Sequence, residues 1–195
     1  MDQKIQTHLK NKNYKIMSCY ISQAVSLGCS DGIGGVKKIW VVGGATGAVT
    51  GYTYDADGQI TGATSTVGTT IYGFELKRNT SSLVQNVTKS FENGTIFFTQ
   101  ELHAILFKYD QSKRNILQEL SQNDKIQIIA VDQIGTQYLL GQTNGMYLSG
   151  GSAGTGTAYG DRNGFEFIFT GQEHEPANVI SGDLSSVFSG ASFVG

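Results

Sequence analysis

Residues 81–104 read SSLVQNVTKSFENGTIFFTQELHA and predict a long β-hairpin. Asn93-Gly94 is the preferred residue pair for a two-residue type I′ turn. A turn at this pair places Phe91 opposite Ile96. One face of the predicted ribbon is then mostly apolar and the other mostly polar, which agrees with the two-residue period of β-strands.

Each arm of the predicted hairpin is about ten residues, or roughly 34 Å at about 3.4 Å per residue. The commonest strands are about half that length. A hairpin this long either extends past its own domain and contacts copies of the chain, or supplies two long strands to an ordinary sandwich. The residues themselves leave both interpretations open.

The rest of the chain from Lys38 onward predicts short strands joined by tight turns. Residues 55–58 and 143–145 each form a turn signal, and we expect a hairpin around each of them. One segment, about 111–122, has helical periodicity and follows Asp110 as its N-cap. The predicted fold class is mainly β: an antiparallel β-sandwich or barrel with one short flanking α-helix, a long β-hairpin and extended termini.

The sequence divides into three predicted parts. Residues 1–16 are polar and rich in lysine, and form either an N-terminal arm or an extension upstream of a start at Met17. Residues 17–181 form the sandwich domain, with the long hairpin at about 81–108. Residues 182–195 form a C-terminal arm whose apolar side chains are expected to be exposed and to suit docking against a partner: Val187, Phe188, Phe193 and Val194.

Composition excludes several classes of function. The formal charge of the 195-residue chain is −2 and only 15% of its residues are charged, so no basic stripe for gripping nucleic acid is expected. No stretch approaches the roughly 18 apolar residues that span a bilayer, so no membrane partner is expected. Cys19 and Cys29 fit reduced thiols in a protein made in a cytoplasm.

The candidate motifs for catalysis or cofactor binding fail on spacing. Lys37 lacks the preceding Gly and the following Ser or Thr of a phosphate-binding loop, and a strand rather than a helix follows it. His8, His103 and His174 have no metal-ligand spacing. Cys29 beside His103 or His174 is the remaining combination for nucleophilic catalysis, and no rule of spacing supports it. We therefore expect no enzyme activity, no cofactor and no metal.

The order of several segments is distinctive. MSCYISQAVSLGCSDGIGGVKKIWVV near the start is followed by DADGQIT, FELKRNTSS, ENGTIFFTQEL and LQEL, then by IIAVDQIGTQYLLGQTNGMYLSGG and GTAYGDRNGFEFIFTGQEHEPA. This order resembles a tail or virion structural protein of tailed bacteriophages that infect Bacteroidetes. The layout is also similar to that of phage tail tube proteins. The resemblance covers most of residues 17–181. Residues 1–16 lie before the first segment that carries the resemblance.

The resemblance implies a homo-oligomer in the virion tail, made in the host cytoplasm, with other tail proteins as partners. Subunits would form hexameric rings that stack into a conduit through which genome DNA passes without specific binding. Alternatives are another tail, neck or baseplate component, or a carbohydrate-binding β-sandwich that uses Trp40 or the tyrosines as sugar platforms. The predicted contacts between copies are apolar residues of the hairpin and the C-terminal arm: Leu83, Val87, Phe91, Ile96, Phe98, Phe188 and Phe193.

Overall fold

The structure is a computed structural model that describes residues 24–25, 30, 32–43, 49–66 and 68–195. The chain divides into two compact units, Met1–Asp31 and Gly32–Gly195, and every element described below belongs to the second unit. The predicted arm at 1–16 and both cysteines, Cys19 and Cys29, lie outside the described residues.

The prediction of a mainly β fold is confirmed. The described part of the chain holds twelve strands and two helices. The helices are α1 (Gln111–Ser121) and α2 (Leu184–Val187). The strands are β1 (Val36–Gly43), β2 (Val49–Tyr54), β3 (Ile60–Ser65), β4 (Thr70–Glu75), β5 (Ser82–Ser90), β6 (Thr95–Phe107), β7 (Gln127–Asp132), β8 (Gln137–Leu140), β9 (Met146–Gly154), β10 (Gly164–Glu173), β11 (Asn178–Ile180) and β12 (Ser192–Val194).

The strands form two open sheets that pack as a sandwich. The large sheet has the order β12-β4-β1-β7-β8-β11-β3-β2, and the small sheet has the order β5-β6-β10-β9. Because successive side chains of a strand point to opposite faces, each sheet contributes alternate residues to the layer between them. Ile39 and Ile128 enter this core from the large sheet, and Leu102 and Phe167 enter it from the small sheet.

The C-terminal segment 182–195 folds onto the second face of the large sheet. Asp183 caps α2, and β12 pairs in parallel with β4. The exposure expected of Val187 and Phe188 is wrong, because their side chains are 2% and 0% exposed in a second apolar core that includes Ile71. That outer face of the large sheet is itself apolar, so the segment covers it and removes both surfaces from water.

The turn at 143–145 joins two sheets and does not close a hairpin, contrary to the sequence prediction. β8 lies in the large sheet and β9 in the small sheet. The buried carboxylate of Glu173, at the end of β10, accepts hydrogen bonds from the backbone N–H groups of Thr143 (3.0 Å) and Asn144 (2.7 Å). The chain crosses between the two sheets at this turn, and the two hydrogen bonds hold the turn against the small sheet.

Two other local predictions are confirmed. The turn at 55–58 joins β2 to β3, with Gly58 at φ +83°. Asp110 caps α1 by accepting a hydrogen bond from the backbone N–H of Lys113 at 2.9 Å. Leu117 and Leu120 of α1 pack against the core between the sheets. The helix therefore lies over the side of the sandwich next to β9.

Candidate functional site

The predicted hairpin exists, but its register differs from the prediction by two residues. Ile96 pairs with Lys89 and not with Phe91. A type I′ turn needs positive φ at both central residues, and only Gly94 (φ +62°) has it. The loop is therefore four residues long, 91–94, and the Ser90 hydroxyl oxygen accepts a hydrogen bond from the Asn93 N–H. A shift of two residues keeps every side chain on its predicted face.

Two glutamines mark where the hairpin leaves the body of the sandwich. Gln85 and Gln100 pair directly on the face that points to the core. The Gln100 side chain is 1% exposed and accepts a hydrogen bond from the Gly141 N–H at 2.9 Å, while the Gln85 side chain accepts one from the Ala177 N–H at 2.8 Å. Two loops from the large-sheet side therefore hold the hairpin by hydrogen bonds at this pair.

The hairpin residues beyond the glutamine pair form an exposed apolar surface. We call Val87, Phe91, Ile96 and Phe98, with the loop 91–94, the hairpin tip. The side chains of Val87, Phe91 and Ile96 are 60%, 86% and 48% exposed. β10 pairs with β6 only as far as Phe98, so the last three strand pairs and the loop project beyond the small sheet. Three predicted contact residues are thus uncovered in the single chain.

The other predicted contact residues are covered to different degrees. Leu83 and Phe98 are half-buried, and Leu83 packs against the sandwich core. Phe193 is half-buried with its ring edge-on to Trp40 at 5.5 Å. Phe188 is fully buried and has no surface for a partner. Its assignment as an interface residue is therefore wrong, because it fills the core beneath the C-terminal segment.

The small sheet has two unpaired strand edges. In the described part of the chain, β5 pairs on one side only, and β9 does so except for a single bridge between its first residue, Met146, and Ile126. Most side chains of β5 are exposed, and Lys89 is its one charged residue. The second half of β9 reads SGGSAG, small residues that let another backbone approach closely. Unpaired N–H and C=O groups at such edges are templates for pairing with another chain.

The outer face of the small sheet carries a short chain of ionic contacts. Nε2 of His103 lies 2.7 Å from the Glu101 carboxylate, and its Nδ1 lies 3.8 Å from the Glu166 carboxylate. Glu166 also pairs with Arg162 at 3.1 Å. The hydrogen bond from Arg162 lowers the pKa of Glu166. Arg162 pairs with Glu166 and His103 is bonded to Glu101, so none of these four side chains is an unpaired cation.

A groove of about 500 Å³ lies between α1 and β9. Leu117 and Leu148 line it, and Ser152 and Glu166 are at its rim. Ser152 bonds to Glu166 at 3.2 Å and would be the only nucleophile beside a carboxylate there. Since Arg162 holds the pKa of Glu166 low, that carboxylate is a weak base for activating a hydroxyl. The groove supplies no catalytic arrangement.

No metal site emerges from the described residues. They contain no group of three His, Cys, Asp or Glu side chains that could hold a metal ion. His8 and Cys29 lie outside them, so the combination of Cys29 with a histidine is not placed. The Lys38 ammonium lies 4.1 Å from the centre of the Trp40 ring, and the ring also packs on Gly73 and Phe193. Trp40 therefore has no open face for a sugar.

One buried hydroxyl group is unusual. Tyr52 on β2 is half-buried and its hydroxyl oxygen has no hydrogen-bond partner within the described residues. Burial raises the pKa of Tyr52 well above its ordinary value. Its ring packs against the second apolar core, so the side chain acts as part of that packing.

Comparison with known proteins found no matching family model, no matching curated sequence and no matching solved structure. Neither helix in the described part of the chain is long and apolar enough to cross a membrane. The hairpin tip and the two edge strands of the small sheet are described surfaces that another molecule could contact.

Proposed function

We propose that this protein is a non-enzymatic structural protein of a phage virion, a tail tube subunit whose copies assemble into stacked hexameric rings that conduct genome DNA. The observation that carries the proposal is the hairpin tip, where the side chains of Val87, Phe91 and Ile96 are exposed. Monomeric proteins rarely keep a contiguous apolar surface in water, and a surface of this kind marks a site of association. Other tail proteins would be its further partners.

The two edges of the small sheet support a ring. β5 and β9 lie at opposite ends of the same four-stranded sheet. Pairing β5 of one copy with β9 of the next is a head-to-tail contact, and such contacts close into rings when the rotation allows. Closure would remove every open edge of the small sheets, as it does in a barrel. This is also the reason that we favour assembly over an isolated monomer.

The outer face of the small sheet supports a conduit for DNA. In a closed ring of small sheets, one face packs on the sandwich core and the other faces the enclosed space. That outer face carries Glu101, His103, Glu166 and Arg162, which pair with one another. A lumen without unpaired cations makes few phosphate contacts, so DNA can move through it.

Electron microscopy of the purified protein and two variants tests the proposal. Negative staining of the unaltered chain should show rings or tubes. Val87→Asp/Phe91→Asp places two charges on the apolar surface of the hairpin tip and should give a folded subunit that no longer forms tubes. The matched control, Thr88→Asp/Ser90→Asp, adds the same charges to the opposite face of the same strand and should still assemble.

Three results would contradict or change the proposal. Normal tubes from Val87→Asp/Phe91→Asp would exclude the hairpin tip as an assembly surface. A monodisperse monomer at every concentration would exclude a tube subunit. Rings that never stack would favour the alternative of a neck or baseplate component.

A further inference from the structure

Three loops meet at the end of the small sheet opposite the hairpin tip. The Lys108 N–H donates to the Asn163 carbonyl oxygen at 2.8 Å, and the Ser81 hydroxyl oxygen accepts from the Ile105 N–H at 3.2 Å. These bonds fix the loops against β6 and against each other. The loops connect β4 to β5, β6 to α1 and β9 to β10, at 76–81, 108–110 and 155–163.

Aromatic side chains are exposed where these loops meet. Phe107 and Tyr109 are 37% and 46% exposed, and Tyr159 is fully exposed. The Lys77 ammonium lies 4.8 Å from the centre of the Phe107 ring. Tyr109 stacks on the buried Phe165 at 4.6 Å, which holds its ring in place. Ordered aromatic rings of this kind are the side chains enriched at protein interfaces.

At this end two acidic side chains have partners that stabilise their negative charge, whereas three basic side chains form no ion pair with a described residue. Asp110 pairs with Lys113, and Asp161 accepts hydrogen bonds from the N–H groups of Thr157 and Ala158. Both contacts lower the pKa of the carboxyl group concerned, with the Lys113 side chain the main cause for Asp110 and the Ala158 N–H for Asp161. These two acids are therefore already engaged within their own segments.

Lys77, Arg78 and Lys108 are exposed, and none of them forms an ion pair with a described carboxylate. Glu75 ends β4 next to these cations and likewise forms no ion pair with a described residue. Asn79 and Lys108 are also the only described non-glycine residues with positive φ, at +61° and +68°. We call the following six residues the basic aromatic end: Lys77, Arg78, Phe107, Lys108, Tyr109 and Tyr159.

The opposite end of the molecule has the complementary character. Glu92 stands in the hairpin loop next to Phe91 and makes no ion pair with a described residue. The adjoining turns carry further acids and the single lysine Lys125: Asp55, Asp57, Asp124 and Glu175. Three contacts bring these turns together: Gln142 bonds to Tyr54, the Asn144 N–H bonds to Glu173, and Gly145 lies against Lys125. Lys89 of β5 is also at this end, with its ammonium 4.8 Å from the centre of the Phe91 ring. The described acids at this end still outnumber its two lysines, whereas the other end is aromatic and basic.

A single strand connects the two ends. β6 begins next to the hairpin loop at Thr95 and ends at Phe107, a span of 13 residues. At about 3.3 Å per residue this is roughly 40 Å. A second copy displaced along β6 by that distance would bring its hairpin tip against the basic aromatic end of the first.

We propose that the hairpin tip of one copy docks on the basic aromatic end of the next copy, head to tail. In this contact Phe91 packs against Phe107, Tyr109 and Tyr159, and Glu92 lies among Lys77, Arg78 and Lys108. The inference rests on the proposed function, in that it supplies the contact by which rings stack. It assigns a polarity to the stack and a repeat on the order of 40 Å. Electrostatic complementarity of this kind also predicts weaker stacking at high salt.

Charge-reversal variants of the full-length protein test this contact by negative-stain microscopy and sedimentation velocity. Lys77→Glu/Arg78→Glu should lower the end-to-end association constant at least about tenfold and leave rings intact. The single change Lys77→Glu has a matched control in Lys125→Glu, which changes net charge equally at a turn outside the proposed contact and should preserve stacks. Adding Glu92→Lys to Lys77→Glu/Arg78→Glu should restore stacking. Raising the salt from about 0.05 M to about 0.5 M should shorten stacks of the unaltered protein.

The outcomes separate this inference from the proposed function. Stacks that survive Lys77→Glu/Arg78→Glu, or rings that never stack, overturn the inference while ring formation stands. Salt-sensitive filaments without rings support the inference and overturn the tube. A monomer under all conditions overturns both. Binding of a short DNA duplex, measured by fluorescence anisotropy, that is lost in Lys77→Glu/Arg78→Glu and unaffected by Glu92→Lys would show instead that this end binds nucleic acid.

Discussion

The two halves of the β5–β6 hairpin have the same pattern of side chains and opposite surroundings. Near the body, Leu102 and Ala104 are fully buried between the sheets. Beyond the Gln85–Gln100 pair, Val87 and Phe91 continue the same face in water. A period of two therefore identifies a face of a ribbon, but it does not say whether that face meets its own domain or another molecule.

The difference lies in what packs opposite each half. The large sheet and the loops at Gly141 and Ala177 cover the near half. β10 accompanies the far half only as far as Phe98, so the strand pairs and the loop beyond Phe98 have no neighbouring strand on that side. Burial of a side chain contributes about 25 cal/mol for each Å² removed from water. The near half gains this free energy when the chain folds. The far half would gain it only when another molecule covers its apolar side chains.

Removing a buried side chain from the near half should have the largest effect. Leu102→Ala leaves a cavity between the sheets and should lower the free energy of unfolding by about 2–5 kcal/mol. Urea denaturation followed by circular dichroism measures the change. A loss below about 1 kcal/mol would show that the near half is not closely packed against the large sheet.

Removing an ionic contact on the outer face of the small sheet, beside the near half, should change the free energy of unfolding less and in a way that depends on pH. The folded-state pKa of Glu166 is lowered from 4.5 by Arg162, so its contribution to stability is present above that value and is lost as pH falls through the folded pKa. Glu166→Gln should therefore cost at most about 1 kcal/mol at neutral pH, since the pair is partly exposed. Denaturation at about pH 7 and about pH 3 measures this, and an equal difference at both values would contradict the prediction.

The smallest effect on the single subunit is expected in the far half. Phe91→Asp alters a side chain that is 86% exposed and should change the free energy of unfolding by less than about 0.5 kcal/mol. Denaturation under conditions that keep the protein monomeric measures this value. A loss comparable to that of Leu102→Ala would mean that the far half folds back on its own domain.

The hairpin register was open to a better prediction from the sequence. The observed pairing places Leu83 opposite Leu102 and Gln85 opposite Gln100, so that like faces like. The preference of Asn93-Gly94 for a two-residue turn pointed to another register. Cross-strand pairs along the whole ribbon stabilise the observed register more than one type I′ turn would stabilise the other register. The four-residue loop still places Gly94 where φ is positive.

Other parts of the structure had no local signal. The burial of Phe188 depends on the second apolar face of the large sheet, which only the assembled sheet creates. The crossing at 143–145 depends on Glu173, a residue thirty positions away in sequence that binds the turn. The basic aromatic end combines three loops that are distant in sequence. By contrast, β1 to β10, α1 and its cap follow from local patterns, whereas β11, α2 and β12 were not predicted.

The paired glutamines at the base of the hairpin tip have a mechanical consequence. They clamp a two-stranded ribbon to the body through bonds to Gly141 and Ala177, and the ribbon beyond them behaves as a short cantilever. A load applied to its free end acts as a bending moment at that clamp. Pairing with β10 supports β6 as far as Phe98, so we expect bending mainly in the three strand pairs and the loop beyond it, while the interior of the subunit keeps its packing.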